Sequence, residues 1–213
     1  MSDAAEDGAK KKKSGGKNKR LMMIGGAVLL LGGGGAAAGF FVAGGMHKEE
    51  TGHKEDPNRP QFVLKGENPE EIANTWIAKA KEEGLEHTDT GGSKGKGVDL
   101  PRPKTLASYQ ATYFQIPAPF TSNLADSDAF AQISIAVSTY YDNRVIQAIQ
   151  THELAIRSEV LMMLAQEQEV DLATPQGKEK LQGKLVKIIN DVLKQKTGYG
   201  GVDNVYFTNF VIQ

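Results

Sequence analysis

Residues 130–141 read FAQISIAVSTYY. Side chains alternate along an extended strand with a period of two. Ala131, Ile133, Ile135, Val137 and Thr139 therefore share one side, and Phe130, Gln132, Ser134 and Ala136 share the other. The first side is mostly apolar, which is the pattern of a half-buried strand.

Working toward the amino terminus, Tyr109 to Ile116 is rich in aromatic and β-branched residues and reads as a strand, stopped by Pro117 and Pro119. Phe120 to Leu124 forms a second short strand, and Asp126-Ser127-Asp128 is a turn signal. Working toward the carboxy terminus, Asn143 is positioned to cap a helix that runs to about Gln168. Val145, Ile149, His152, Ile156, Val160 and Met163 step along one face of it, broadened by Ile146, Leu154, Leu161 and Leu164. Thr174 caps a second helix with Pro175 in its first turn. Leu181, Leu185, Ile188, Ile189 and Val192 form its buried stripe, Lys194 and Lys196 suit its negative end, and Gly198 lies just past it. After Gly198-Tyr199-Gly200-Gly201 comes the closing stretch. There Val205, Phe207, Asn209 and Val211 alternate with Tyr206, Thr208, Phe210 and Ile212. Apolar side chains on both faces predict an interior strand. The order β-β-β-α-α-β over residues 105–213 is an α+β domain of ordinary size, with helices on one face of a mainly antiparallel sheet.

Residues 47–104 read as a linker, polar at the start. Its His47 and His53 lie six apart, which matches no helical i,i+4 metal pair. Inside the linker a short helix is expected over residues 69–83. Asn68 would cap it, Pro69 would take the first position, and Glu70 and Glu71 would face its positive end. Ile72, Trp76, Ala80 and Ile77 make a narrow apolar stripe with three available partners: another protein, a membrane surface or the chain's own domain. No residue decides among them. Residues 91–97 (GGSKGKG) read as flexible linker, and Pro101 and Pro103 mark the approach to the folded part.

Residues 21–46 (LMMIGGAVLLLGGGGAAAGFFVAGGM) contain no charge, and about 20 apolar residues suffice for a transmembrane helix. Residues 1–20 hold seven basic side chains against three acidic ones, a net of +4, while the whole chain is −1. A basic flank stays in the cytoplasm, so residues 1–20 form a cytoplasmic tail and the chain beyond residue 46 lies outside, in the periplasm. A cleavable signal peptide ending near Ala36-Ala37-Ala38 is the alternative. The run through Phe40, Phe41 and Val42 favours a retained single-pass anchor. Gly35 and Gly39 form a GxxxG pair, and Gly32 with Ala36 a small-xxx-small pair. Such spacing permits close helix packing, though glycine is also simply frequent in membrane helices. The two explanations weigh evenly.

The composition excludes several chemistries. With no cysteine, disulfides, zinc thiolates and thiol nucleophiles are ruled out. His152-Glu153 is not followed by the second histidine of an HExxH motif. Ser122, Ser127, Ser134, Ser138 and Ser158 have no nucleophile-elbow context. Asp126 and Asp128 lack the rest of a calcium loop. No phosphate-binding glycine motif occurs outside the apolar run. The expectation is a protein without enzyme activity, cofactor, metal, small-molecule substrate or nucleic-acid partner.

Three stretches carry a family resemblance: Tyr113-Phe114-Gln115-Ile116-Pro117-Ala118-Pro119-Phe120-Thr121-Ser122-Asn123-Leu124, Thr174-Pro175 with Gly177, and Val205-Tyr206-Phe207-Thr208-Asn209-Phe210-Val211-Ile212-Gln213. They resemble the flagellar basal body-associated FliL family. The motif positions are Ile116, Pro117, Phe120, Asn123, Leu124, Thr174, Gly177, Val205, Phe207, Thr208 and Phe210. The layout of tail, span, linker and outer domain also matches, although the linker is long for the family. The resemblance implies a bacterial inner-membrane accessory of the flagellar motor. Its implied partners are the ion-channel subunits of the stator, membrane lipid and further copies of itself in a ring, in support of rotation, swimming and swarming. It also implies an outer domain similar to the stomatin/prohibitin (SPFH) core, and it makes charged residues between Arg144 and Glu169 interface candidates. A generic stomatin-like envelope scaffold is the alternative function.

Overall fold

The computed structural model of the chain describes residues 56–85 and 97–213. The tail, the apolar run with Gly32, Gly35, Ala36 and Gly39, His47, His53 and most of the GGSKGKG stretch lie outside the described residues. Among the described residues no helix is long and apolar enough to cross a membrane.

Phe130–Thr139 forms the long central strand of a four-stranded antiparallel sheet. Counting elements in chain order, α1 is Pro69–Glu82, β1 Val98–Asp99, β2 Thr112–Gln115, β3 Phe120–Asn123 and β4 the central strand. Four helices follow: α2 Arg144–Thr151, α3 Glu153–Leu164, α4 Glu169–Leu172 and α5 Pro175–Thr197. The chain closes with β5 Tyr199–Gly200 and β6 Asn204–Ile212. One side of β4 pairs with β2 along Ala136–Thr139 and with β3 along Phe130–Ile133. Its other side pairs with β6. Ala131, Ile133, Ile135, Val137 and Thr139 are all buried, as the alternation requires. On that face lie Ile149, Ile156, Val160 and Leu164 of α2 and α3, with Leu181, Leu185 and Ile189 of α5. α3 packs on β3, and α5 on β5 and β6. The fold is α+β, as expected.

Local signals explain the helix ends. The Asn68 side chain accepts from the Glu70 N–H and opens α1. Thr174 Oγ1 accepts from the Gly177 N–H at 2.9 Å and opens α5, and Gly198, with φ of 84°, closes it. Satisfying a terminal donor in this way is worth about 1 kcal/mol.

Four expectations change. The first helix breaks at His152, whose φ of −107° and ψ of 20° leave the helical region. Asn143 does not cap it; Asp142 Oδ1 accepts from the Arg144 N–H at 3.1 Å instead. Leu154, expected on the buried face, is 84% exposed, because it lies about half a turn from the Ile156, Val160 and Leu164 row. Finally, residues 56–85, read as linker, are part of the folded unit, which begins at Asp56. Val63 donates to Tyr140 O, and Gln110 donates back to Val63 O. Within α1, Ala73 and Ala80 are buried and Ile72, Trp76 and Ile77 half-buried.

Candidate functional site

The closing strand is the least conventional element. β6 pairs only with β4 among the described strands, so it is an edge and not the interior strand its two apolar faces suggested. A bulge explains the discrepancy. Ser134 faces Asn209 but Ile135 faces Phe207, leaving Thr208 without a partner on β4. One extra residue reverses the alternation beyond it. Val205, Phe207, Phe210 and Ile212 consequently all lie opposite the buried row Val137, Ile135, Ile133 and Ala131. Phe207 and Phe210 meet edge to face with centroids 5.1 Å apart. From Asn204 to Gln213 there is no charged residue and no proline, the residues that commonly guard an edge strand against pairing.

The opposite edge is blunted. β2 and β3 are short, and Pro117-Ala118-Pro119 joins them, with Ala118 at a φ of 57°. The Arg157 guanidinium on α3 donates to the carbonyl oxygens of Pro117 and Pro119, donates to Glu153 Oε1 at 3.1 Å, and stacks on the Phe120 ring at 4.5 Å. The side of the sheet away from the core carries Tyr113, Phe130 and Tyr206, all exposed. The rings of Tyr113 and Tyr206 sit 5.7 Å apart. The neighbouring Tyr206 hydroxyl pushes the Tyr113 phenol above its ordinary value of 10.0. An edge strand with no charge of its own, touched by Gln182 at Val205 O and by Lys178 over the Phe210 ring, and an aromatic sheet face are interaction features and supply no catalytic group.

Comparison with known proteins matches this same stretch. Residues 113–213 fit the family model described as flagellar basal body-associated protein FliL. A flagellar protein FliL from Aquifex aeolicus (strain VF5) is 35% identical over 113 residues, covering 52% of this chain and 67% of the relative. The chain belongs to the FliL family. Association with the flagellar basal body, in an accessory role, follows from that membership.

The positions on which the family resemblance was read have these places in the fold. Ile116, Phe120, Leu124 and Val205 are buried in the core. Phe207 and Phe210 pack against that core, with Thr208 at the bulge between them. Pro117 shapes the turn held by Arg157, and Asn123 ends β3 opposite Phe130. Thr174 caps α5. Gly177 is required by contact, since a Cβ there would lie 1.8 Å from Asp171 O.

This FliL-family domain also has a buried ion pair that sequence reading did not single out. Asp142 and Arg144 are 0% and 8% exposed and meet at 2.8 Å. Arg144 also donates to the carbonyls of Pro57 and Arg59, while Asp142 Oδ2 accepts from the Gln61 N–H at 2.7 Å. The pair thus staples residues 57–61 to the start of α2. A second docked segment lies alongside: β1 pairs in parallel with β5, and Tyr141 donates its hydroxyl to Pro101 O. Burial pushes the Tyr141 phenol well up. Only the Asp142-x-Arg144 spacing hinted at the staple, because its other partners lie more than 80 residues away.

His152 is half-buried at the helix break, Asp126 sits in its turn at a φ of 56°, and the described residues contain no group of three His, Cys, Asp or Glu able to hold a metal.

Proposed function

We propose that this protein is a non-enzymatic accessory of the flagellar motor. In this reading it associates with the ion-channel subunits of the stator and supports rotation, swimming and swarming. A single helix at residues 21–46 anchors it in the inner membrane beside lipid, with its tail in the cytoplasm. The domain from Asp56 onward stands in the periplasm, associates with further copies in a ring, and has a stomatin/prohibitin-like (SPFH) core. The observation that carries this reading is the family match over residues 113–213 falling on a domain whose closing strand is a sheet edge with no charged residue of its own. Such an edge favours contact with another chain.

The test has two parts. Deleting the gene leaves growth normal and impairs swimming. A carboxy-terminally tagged chain, purified from detergent-solubilised membranes, recovers the stator subunits. A deletion strain that swims normally at every load refutes the motor role. Recovery of a different envelope partner transfers the function to a generic scaffold.

A further inference from the structure

The sheet has two unlike faces. Its inner face packs on the helices through Ile133, Ile135 and Val137. Its outer face holds no charge, because none of the four strands carries an Asp, Glu, Lys or Arg, although such residues make up 24% of the chain. Two kinds of side chain stand there instead. Tyr113, Tyr206 and Phe130 are 62%, 39% and 37% exposed. Thr121, facing Gln132, Asn123, facing Phe130, and Asn209, facing Ser134, fill the space between and beside them. These five polar side chains are exposed or half-buried and make no hydrogen bond with any described residue.

The two tyrosines are brought together by their partners on β4. Tyr113 faces Ser138 and Tyr206 faces Ala136, so only small side chains stand between them. Their rings lean together at 5.7 Å and 57°. Phe130 lies six residues back from Ala136, about 20 Å along the strand. At the tyrosine end the face meets a hollow of about 200 Å³ lined by Pro101, Pro103, Tyr140, Gly201 and Asp203. About 10–15 Å³ already admits a water molecule, so this space takes a ring-sized group. The Asp203 N–H donates to the carbonyl of Ser138, the residue opposite Tyr113, which sets the hollow beside the tyrosine pair. Its walls are tied down: Leu100 donates to Gly200 O, Tyr141 donates to Pro101 O, and Arg102 meets Asp203 at 2.7 Å. That ion pair leaves the rim neutral too.

We propose that the outer sheet face and its hollow bind a neutral glycan chain. The electron-rich faces of Tyr113 and Tyr206 attract the C–H groups of a sugar ring. The unpaired amides and hydroxyls donate and accept, as a sugar's own hydroxyls do. A charged lipid or protein partner finds no counter-charge here. A proline-rich peptide docks in an aromatic-lined groove, but proline rings laid over Gln132, Ser134 and Asn209 would leave their polar groups unmatched, which is costly. The binding is independent of stator and ring contacts. Only its use in the cell rests on the periplasmic placement proposed above, which puts a glycan within reach.

Calorimetric titration of the full-length chain in detergent micelles, with the β-1,4-linked hexamer of N-acetylglucosamine, tests this. Saturable binding is expected. Tyr113→Ala and Tyr206→Ala each weaken it about tenfold. Gln132→Met, which keeps the length and loses the amide, weakens it about fivefold. Leu154→Ala, on the helix layer, leaves it unchanged. Should an alanine variant melt early, the ring signals of Tyr113 and Tyr206 in the NMR spectrum of the unmutated chain decide: they shift on adding the hexamer, and unmoved signals overturn the proposal. No saturable heat up to millimolar hexamer, or full affinity in both alanine variants, also overturns it and leaves the stator pull-down untouched. If a ten-residue polyproline peptide binds instead, and the same variants abolish that binding, the face is a peptide site and the proposal falls.

Discussion

Replacing Asp142 with alanine should detach the staple that holds residues 57–61 on the domain. The carboxylate accepts four hydrogen bonds: from the Gln61 N–H at 2.7 Å, the Arg144 N–H at 3.1 Å, and Arg144 Nε and Nη2 at 3.0 and 2.8 Å. Removing it leaves the Arg144 guanidinium charged, 8% exposed and without a counter-ion. Breaking a buried pair from one side costs about 3–5 kcal/mol. At about 2–4 °C per kcal/mol for a domain of this size, Tm should fall by about 6–20 °C. Urea unfolding of the purified protein gives the free energy. Hydrogen exchange locates it: protection at Gln61 and Val63 should drop first, while that of β4 follows only the global loss. In the double variant with Arg144→Ala the cost should be less than the sum of the two single costs, because the second change removes the stranded charge. A loss under about 1 kcal/mol, the range of an exposed pair, or unchanged exchange at Gln61, would refute the assignment.

Gly177→Ala forces a methyl group against the Asp171 carbonyl oxygen 1.8 Å from the ideal Cβ position, and a destabilisation of about 1–3 kcal/mol is expected in thermal melts; no change would mean that the α4–α5 turn relaxes freely. Gly183→Ala meets open space and should raise the stability read in thermal melts by up to about 1 kcal/mol. Hydrogen bonds from Lys187 and then Lys194 hold the Asp191 carboxyl below its ordinary value of 3.8. A depressed native value contributes stability above the unfolded value that is lost as pH falls through the native one. Asp191→Asn should therefore flatten the loss of stability below about pH 4, and near neutrality it should cost under about 1 kcal/mol, since Asp191 and Lys187 are partly exposed. Parallel pH profiles for the two proteins would count against this pair.

Much of the domain was written locally. Strand β4 follows from alternation alone, since all five residues of its apolar row are buried. Asn68, Thr174 and Gly198 mark helix ends through hydrogen bonds and backbone angles confined to a few residues. The family, read as a resemblance from the sequence, is the one the chain belongs to. The tertiary structure decided what depends on distant partners. Whether β6 is interior or an edge depends on how many strands pair with it, and its bulge depends on which residue of β4 each side chain meets. Phe207 and Phe210, on opposite faces on paper, share the core face because Thr208 is skipped in the ladder. Asp142 displaced Asn143 at the start of α2 because its carboxylate simultaneously serves Arg144 and Gln61. The segment before α1 looked like linker because its composition is polar. Its backbone groups are nevertheless satisfied by Tyr140, Asp142 and Arg144, and composition carries no record of a partner 80 residues away. Short-range periodicity and capping can be read from neighbours in the chain; register, edge and docking are set by contacts that exist only once the chain has folded.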